Sequence, residues 1–235
     1  MTTDITKQEP GSNYPPEEGC YLRGNDYSPV AVLVILKYER EKTPPGIEQL
    51  VRTGVESGAA LAGTLQTENL GLEKVICNLV ANPNIRYLVV CGPESPGHHV
   101  GETILALVKN GLDEHKRIIG TTAPTPYLFN VPLESVERFR NQITVIDLIN
   151  EGSDEVLRRA VCACYQEKPT PFRGYMLHDP GAFPEAPLSG KITWRVTHPE
   201  REPKSPTERL QQDKLKALMD RVRKAAEEKQ GKGGT

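Results

Sequence analysis

The stretch TENLGLEKVICNLVANPNIRYLVVCG, residues 67–92, joins a helix to a strand and decides the fold class. Leu72, Val75, Ile76, Leu79 and Val80 recur three and four residues apart, which places them on one face of a helix. Asn82-Pro83-Asn84 stops that helix, because proline cannot continue the hydrogen-bond ladder and disfavours helical backbone before it. IRYLVVCG follows, apolar and β-branched with no polar alternation, the pattern of a strand covered on both faces. It ends at Gly92 and opens into PESPGHHVG, a loop, and then ETILALVKNG, a helix with Gly111 at its end.

The same alternation extends in both directions. Val30 to Leu36 is an unbroken apolar run and predicts a strand. PPGIEQLVRTGVESGA predicts a helix, with Pro45 in its first turn and Ile47, Leu50, Val51 and Val55 on one face. AALAGTLQ, RIIG and TVIDLI predict strands. LESVERFRNQI predicts a helix, as does SDEVLRRAVCACYQ, capped by Ser153 or Asp154. Strands alternating with helices of about ten residues imply a Rossmann-like α/β fold, with a mostly parallel sheet covered by helices on both faces. Ligands of such sheets sit beyond the carboxyl ends of the strands.

Composition changes toward both ends. Residues 1–28 are polar and read as a flexible arm, 29–165 as the α/β domain, 166–204 as a Pro/Gly-rich segment with a hairpin, and 205–235 as a C-terminal helix and tail. In the hairpin, KITWRVTH alternates Ile192, Trp194 and Val196 and is expected to pair with Tyr175 to Leu177. The final helix starts with a capping-box pattern at Ser205 and Glu208, and carries a narrow stripe of Leu215, Leu218, Met219 and Val222.

A net charge of −2 offers no basic footprint for nucleic acid. No window approaches the roughly 18 to 20 apolar residues of a membrane helix, and the first residues lack a signal peptide's apolar core. The five cysteines, Cys20, Cys77, Cys91, Cys162 and Cys164, are odd in number and lack framework spacing, which fits a reducing compartment. A cytoplasmic location is expected.

The loop Gly92–Gly101 holds the residues best suited to chemistry. Gly92, Gly97 and Gly101 permit unusual dihedrals and close approach of a flat ligand. His98 offers an imidazole nitrogen suited to a borderline metal such as cobalt. His98-x-x-Gly101 matches the second half of the D-x-H-x-x-G loop of cobalamin-binding domains, with Pro96 at the aspartate position. The plainer reading is that His98 and His99 only cap a helix or line a polar loop. A zinc or iron site from His98, His99 and Cys91 lacks partners at recognised spacing. Thr67, Glu68, Asn69 and Gly71 form either a helix start, with Thr67 as cap, or a set of polar groups facing a ligand. Gly120 and Thr121 form either a turn or a further contact to that ligand.

TENLGLEKVICNLVANPNIRYLVVCG, then GHHVGETILALVKNG, then RIIGTTAPTPYLFNVPLESVERFRNQITVIDLI together resemble the family of corrinoid-carrying subunits of tetrahydromethanopterin S-methyltransferase, a methanogen membrane complex. The resemblance runs from about Pro29 to Asn150. It implies a Rossmann-like fold, a cobalamin or related corrinoid as cofactor, and His98, after the glycine of the Gly-His pair, as lower ligand of its cobalt. It implies methyl transfer from a methylated reduced pterin to an acceptor, with a methyl-pterin methyltransferase or other methyltransferase subunits as partners. Glu94, close by in sequence, is the expected hydrogen-bond partner of the second ring nitrogen of His98. His99 stands where the family has an aliphatic residue, and Leu65 where it has a cysteine. Complex-bound members carry a C-terminal membrane anchor, and no stretch of this sequence has that composition. The alternatives are a regulatory or scaffold paralogue without the cofactor, and a protein that binds a pterin directly.

Overall fold

The computed structural model describes residues 6–37 and 43–188, together with Leu210, Lys214 and Ala217. The chain divides into two units, Met1–Arg195 and Val196–Thr235. In the second, the three described residues are helical. KITWRVTH, the capping box at Ser205 and the stripe from Leu215 to Val222 lie outside the described residues.

The first unit is an α/β fold around a five-stranded sheet. Its strands are β1 (Tyr21–Arg23), β2 (Val30–Ile35), β3 (Leu61–Leu65), β4 (Tyr87–Gly92) and β5 (Thr144–Ile149), in the order β1-β3-β2-β4-β5. All neighbours are parallel except β1, which runs antiparallel to β3. The helices are α1 (Pro45–Glu56), α2 (Leu70–Val80), α3 (Val100–Asn110), α4 (Leu133–Gln142) and α5 (Asp154–Cys164). Helices α1 and α5 cover one face of the sheet over Val32, Val34, Val89 and Ile146. Helices α2, α3 and α4 cover the other over Leu33, Ile35, Leu88 and Val90. Every residue of β2 and β4 is buried, as their unbroken apolar runs require.

The chain leaves β2 for β3 on one side and then crosses back to β4 on the other. The loops that follow these strands part at that reversal, which opens a crevice above their carboxyl ends. The loop at 93–99 stands there.

Three expectations need correction. RIIG is not a strand of the sheet. Leu112 bridges Ile118 and Arg117 bridges Tyr127, but β5 already pairs with β4 along its whole length. Ile118 is buried while Ile119 is exposed, so this two-residue apolar run cannot cover both faces of a strand. Tyr175–Leu177 (β7) does form an antiparallel hairpin, but its partner is Thr170–Phe172 (β6). Of residues 1–28, read as an arm, the described part, 6–28, supplies β1 and packs on the domain. The reason lies in three asparagines. Asn78 takes the Glu17 N–H and donates to the Glu17 carbonyl, at 2.8 and 3.0 Å. Asn82 donates to the Asp26 carbonyl, and Asn84 to those of Gln8 and Asp26. The pair that ends α2 in the sequence thus also binds backbone from a distant segment.

Gln142 closes the same end of the sheet. Its buried amide donates to the carbonyls of Leu79, Asn82 and Ile85 and accepts from Arg138 Nε. Arg138, itself buried, lies 4.1 Å from the Phe183 ring and pairs with Glu185, which fastens the chain after β7 across this end. Gln142→Ala strips the donor from the Ile85 carbonyl and a second donor from those of Leu79 and Asn82, and a buried group left unmet costs free energy. We expect a loss of about 2–3 kcal/mol in urea unfolding monitored by circular dichroism.

Candidate functional site

The carboxyl end of β3 delivers Glu68, whose side chain is fully buried. A carboxylate without water needs donors, and Glu68 has them on both oxygens. His98 Nδ1 donates to Oε2 at 2.8 Å. The Thr125 N–H and hydroxyl donate to Oε1 at 3.0 and 2.7 Å. Burial alone raises the pKa of Glu68, but the hydrogen bonds from its own backbone N–H, Thr125 and His98 outweigh that effect and hold it below the ordinary value. A folded-state pKa below the unfolded one stabilises the fold above the ordinary carboxylate range. That contribution is lost as pH falls through the depressed value.

His98 enters from the loop after β4, and its side chain is 38% exposed. Because an ionised carboxylate only accepts, the neutral ring carries its proton on Nδ1 and leaves the lone pair on Nε2. Nε2 has no hydrogen-bond partner among the described residues. Gly97, just before it, has φ +90°, and nothing lies within 4 Å of where a Cβ would stand, so backbone conformation and not packing calls for glycine.

Glu94 is not the partner of His98. Its carboxylate accepts from the N–H groups of Ser95, Gly101 and Glu102, at 2.8, 3.1 and 2.9 Å. It therefore caps α3, where free N–H groups and the helix dipole favour a negative charge. Gly101 permits this close approach: a Cβ there would meet Glu94 Oε2 at 2.7 Å and the Ile35 and Ile149 side chains at 2.8 Å.

The other expected site residues take supporting places. Thr67 Oγ1 accepts from Gly71 N–H at 3.1 Å, while Asn69 is the N-cap of α2 and accepts from Leu70 N–H. Asn69 Nδ2 also donates to Thr125 Oγ1 at 3.1 Å, on the rim of the Glu68 site. Gly92 has φ +87° where β4 turns into the loop. Gly120 has φ +85° in an exposed turn, and the buried Thr121 hydroxyl meets that of Thr103 on α3 at 2.8 Å. The structure therefore joins Glu68, His98 and Asn69 around Thr125, and leaves Glu94 with Gly101, and Thr121 with Thr103, one layer away. Leu65 is a core residue at 2% exposure.

Thr125 is the residue that sequence reading missed. It sits between Pro124 and Pro126, so its N–H lies in a segment that cannot join a regular ladder, and that is the signal it carries. Glu73 repeats the device nearby by accepting from Asn130 N–H and Nδ2, both at 2.8 Å, with burial raising its pKa. Two carboxylates of the α2 region thus hold the loop between α3 and α4.

No group of three or more His, Cys, Asp or Glu able to hold a metal ion occurs among the described residues. Cys91, the third member of the zinc alternative, is buried at the end of β4, and burial pushes its thiol up to about 12.

Residues 7–193 match the MtrA family model, which describes the A-subunit of tetrahydromethanopterin S-methyltransferase. A relative named as A-subunit 1 of that enzyme, from Methanothermobacter marburgensis, is 39% identical over 189 residues, which span 80% of this chain and 70% of the relative. A-subunit 2 from Methanothermobacter thermautotrophicus is 40% identical over 189 residues, spanning 80% of this chain and 91% of the relative. The A-subunit from Methanocaldococcus jannaschii is 38% identical over 183 residues, or 77% of this chain and 67% of the relative. No helix among the described residues is long and apolar enough to cross a membrane.

The two carboxylates predict separable effects. Glu68→Ala should move the neutral His98 ring from Nδ1–H toward Nε2–H, read from the ring ¹⁵N shifts. Glu94→Ala should leave those shifts alone and cost about 1–2 kcal/mol in urea unfolding through loss of the cap.

Proposed function

The chain belongs to the MtrA family of tetrahydromethanopterin S-methyltransferase, and from that premise we propose that it is a corrinoid carrier in methyl transfer, with His98 Nε2 as the lower ligand of a cobalamin-type cobalt. One observation carries the reading: a partly exposed histidine whose Nδ1 is committed to a fully buried carboxylate while its Nε2 has no partner among the described residues. The donor set fits such a cofactor. A neutral imidazole would suit cobalt, and a corrin, which brings its own ring nitrogens, would need only this one ligand from the protein. A discrete zinc ion would require several further ligands.

A bound corrinoid would supply the methyl-carrying chemistry between a methylated reduced pterin and an acceptor. The residues of the chain orient and tune. Glu68 fixes the ring plane and tautomer of His98, and its charge raises the basicity of Nε2. Thr125 and Asn69 hold Glu68 and the 120–125 segment in register. Gly97 keeps the surface beside His98 free of side chain, so a wide, flat ring can approach. Glu94, Gly101, Thr67, Gly71 and Thr121 set the two helix starts that carry these groups. The partners are methyltransferase subunits that supply and remove the methyl group, and the setting is the cytoplasm.

Hydroxocobalamin should bind at a single site, base-off with histidine nitrogen on cobalt. After reduction to Co(II), ¹⁵N-histidine should alter the EPR hyperfine pattern. His98→Ala should abolish that coupling and keep the far-ultraviolet spectrum, but lower stability in urea unfolding because Glu68 Oε2 loses its donor. His99→Ala should be mild, because His99 Nδ1 only approaches Glu102 at 3.5 Å. Coupling from the cofactor's benzimidazole alone, or the reverse ranking of the two variants, overturns the assignment.

A further inference from the structure

The two edges of the sheet are finished differently. At β5 the outward N–H groups of Asp147 and Ile149 go to the Tyr175 hydroxyl, at 3.0 Å, and to the Asp147 carboxylate, at 2.9 Å. At β1 nothing comparable stands among the described residues. The Cys20 carbonyl takes the Thr64 N–H, and the Gly24 N–H goes to the Ala60 carbonyl, so residues 20, 22 and 24 turn their backbone groups toward β3. Facing alternates along an antiparallel strand, so the N–H and carbonyl groups of Tyr21 and Arg23 point away from the sheet. Neither proline nor lysine blunts this edge, and the Arg23 guanidinium is taken up by Asp26 and the Tyr14 carbonyl. Beside the edge, on the α1 side, Leu22 is 44% exposed and lines an open cavity of about 290 Å³ together with Glu48, Val51 and Arg52. Glu48 and Arg52 stand one turn apart on α1, both exposed, and neither has a hydrogen-bond or ion-pair partner among the described residues.

We propose that β1 pairs with β1 of a second copy of this chain, antiparallel across a two-fold axis through Leu22. In that register Tyr21 stands opposite Arg23 of the other copy. Both have vacant backbone groups, so each such pair exchanges two hydrogen bonds. Leu22 meets its own copy at the intervening position, where opposed side chains come closest. The axis passes beside the turn of α1 from Glu48 to Arg52, and two-fold repetition sets each Glu48 toward the other copy's Arg52. The occupant is a second copy because this surface is complementary to itself, in its vacant backbone groups, its apolar centre and the opposite charges on either side. Strand β3 runs in opposite directions in the two copies, so the two His98 sites lie at opposite ends of the joined sheet.

Sedimentation velocity of the full chain over a concentration series should show a monomer–dimer equilibrium, with amide hydrogen exchange slowed at Tyr21 and Arg23 in the dimer. Arg52→Glu should weaken the dimer at least about tenfold by setting like charges together. Adding Glu48→Arg exchanges the two charges and should restore it. Leu22→Lys should dissociate it with an unchanged far-ultraviolet spectrum, since the side chain is exposed. A chain that stays monomeric throughout the series overturns the proposal, as does a dimer indifferent to Arg52→Glu and Leu22→Lys. A double variant no tighter than Arg52→Glu overturns the two-fold register. Protection at Tyr21 and Arg23 that persists in a monomer assigns the edge to another segment and overturns the proposal as well.

Discussion

Glu68 is a charge with no water around it, and the arrangement of this end of the molecule follows from that constraint. A buried carboxylate is tolerable only when donors meet it at both oxygens. Those donors come from two segments far from it in sequence, the loop after β4 and the proline-flanked segment at 124–126. One side chain therefore ties together three loops. Each donor is in turn fixed by the acid it serves. Replacement by glutamine would not be equivalent, because an amide NH₂ turned toward His98 would need an accepting Nδ1 and so would invert the tautomer of the ring.

The opposite end of the sheet solves a related problem with neutral groups. There Asn78, Asn82, Asn84 and Gln142 satisfy backbone groups that no strand or helix pairs, and they hold the N-terminal segment and the stretch after β7 against the domain. Between the two ends the interior is apolar on both sides of β2 and β4. Amides suit a place that must only be closed. A charge suits a place where the strength of a neighbouring nitrogen matters, since its field reaches the imidazole through a medium that screens poorly.

The alternation of strand and helix was legible because burial on both faces leaves unbroken apolar runs, and helix faces leave a three-and-four spacing. What escaped was information carried by pairs of positions. RIIG has the composition of a strand, but β5 takes the place beside β4. Residues 1–28 look unstructured because their partners are side chains on and just after α2, dozens of residues away. His98 was legible from the glycines around it and from the resemblance of the loop. Its partner was not. Glu94 is closer in sequence but has the free N–H groups of α3 immediately in reach, whereas Glu68 lies thirty residues back and meets His98 only because β3 and β4 flank β2.

That topology explains why the pair sits where it does. Residues from β3 and β4 face each other across the end of β2, so a side chain from one loop can brace a side chain from the other with neither element moving. A histidine braced from behind differs from one held only by its own loop. In the proposed role its ring would keep its plane and tautomer as the outer nitrogen gained or lost a ligand. The Nδ1–H to Glu68 bond, at 2.8 Å, holds the ring from the side away from Nε2. The same brace passes through Glu68 to Thr125, so any change in how strongly Nε2 donates alters the charge that the Thr125 N–H and hydroxyl experience. Thr125, at the end of the 120–125 segment, is thus tied to His98 through Glu68 by direct hydrogen bonds.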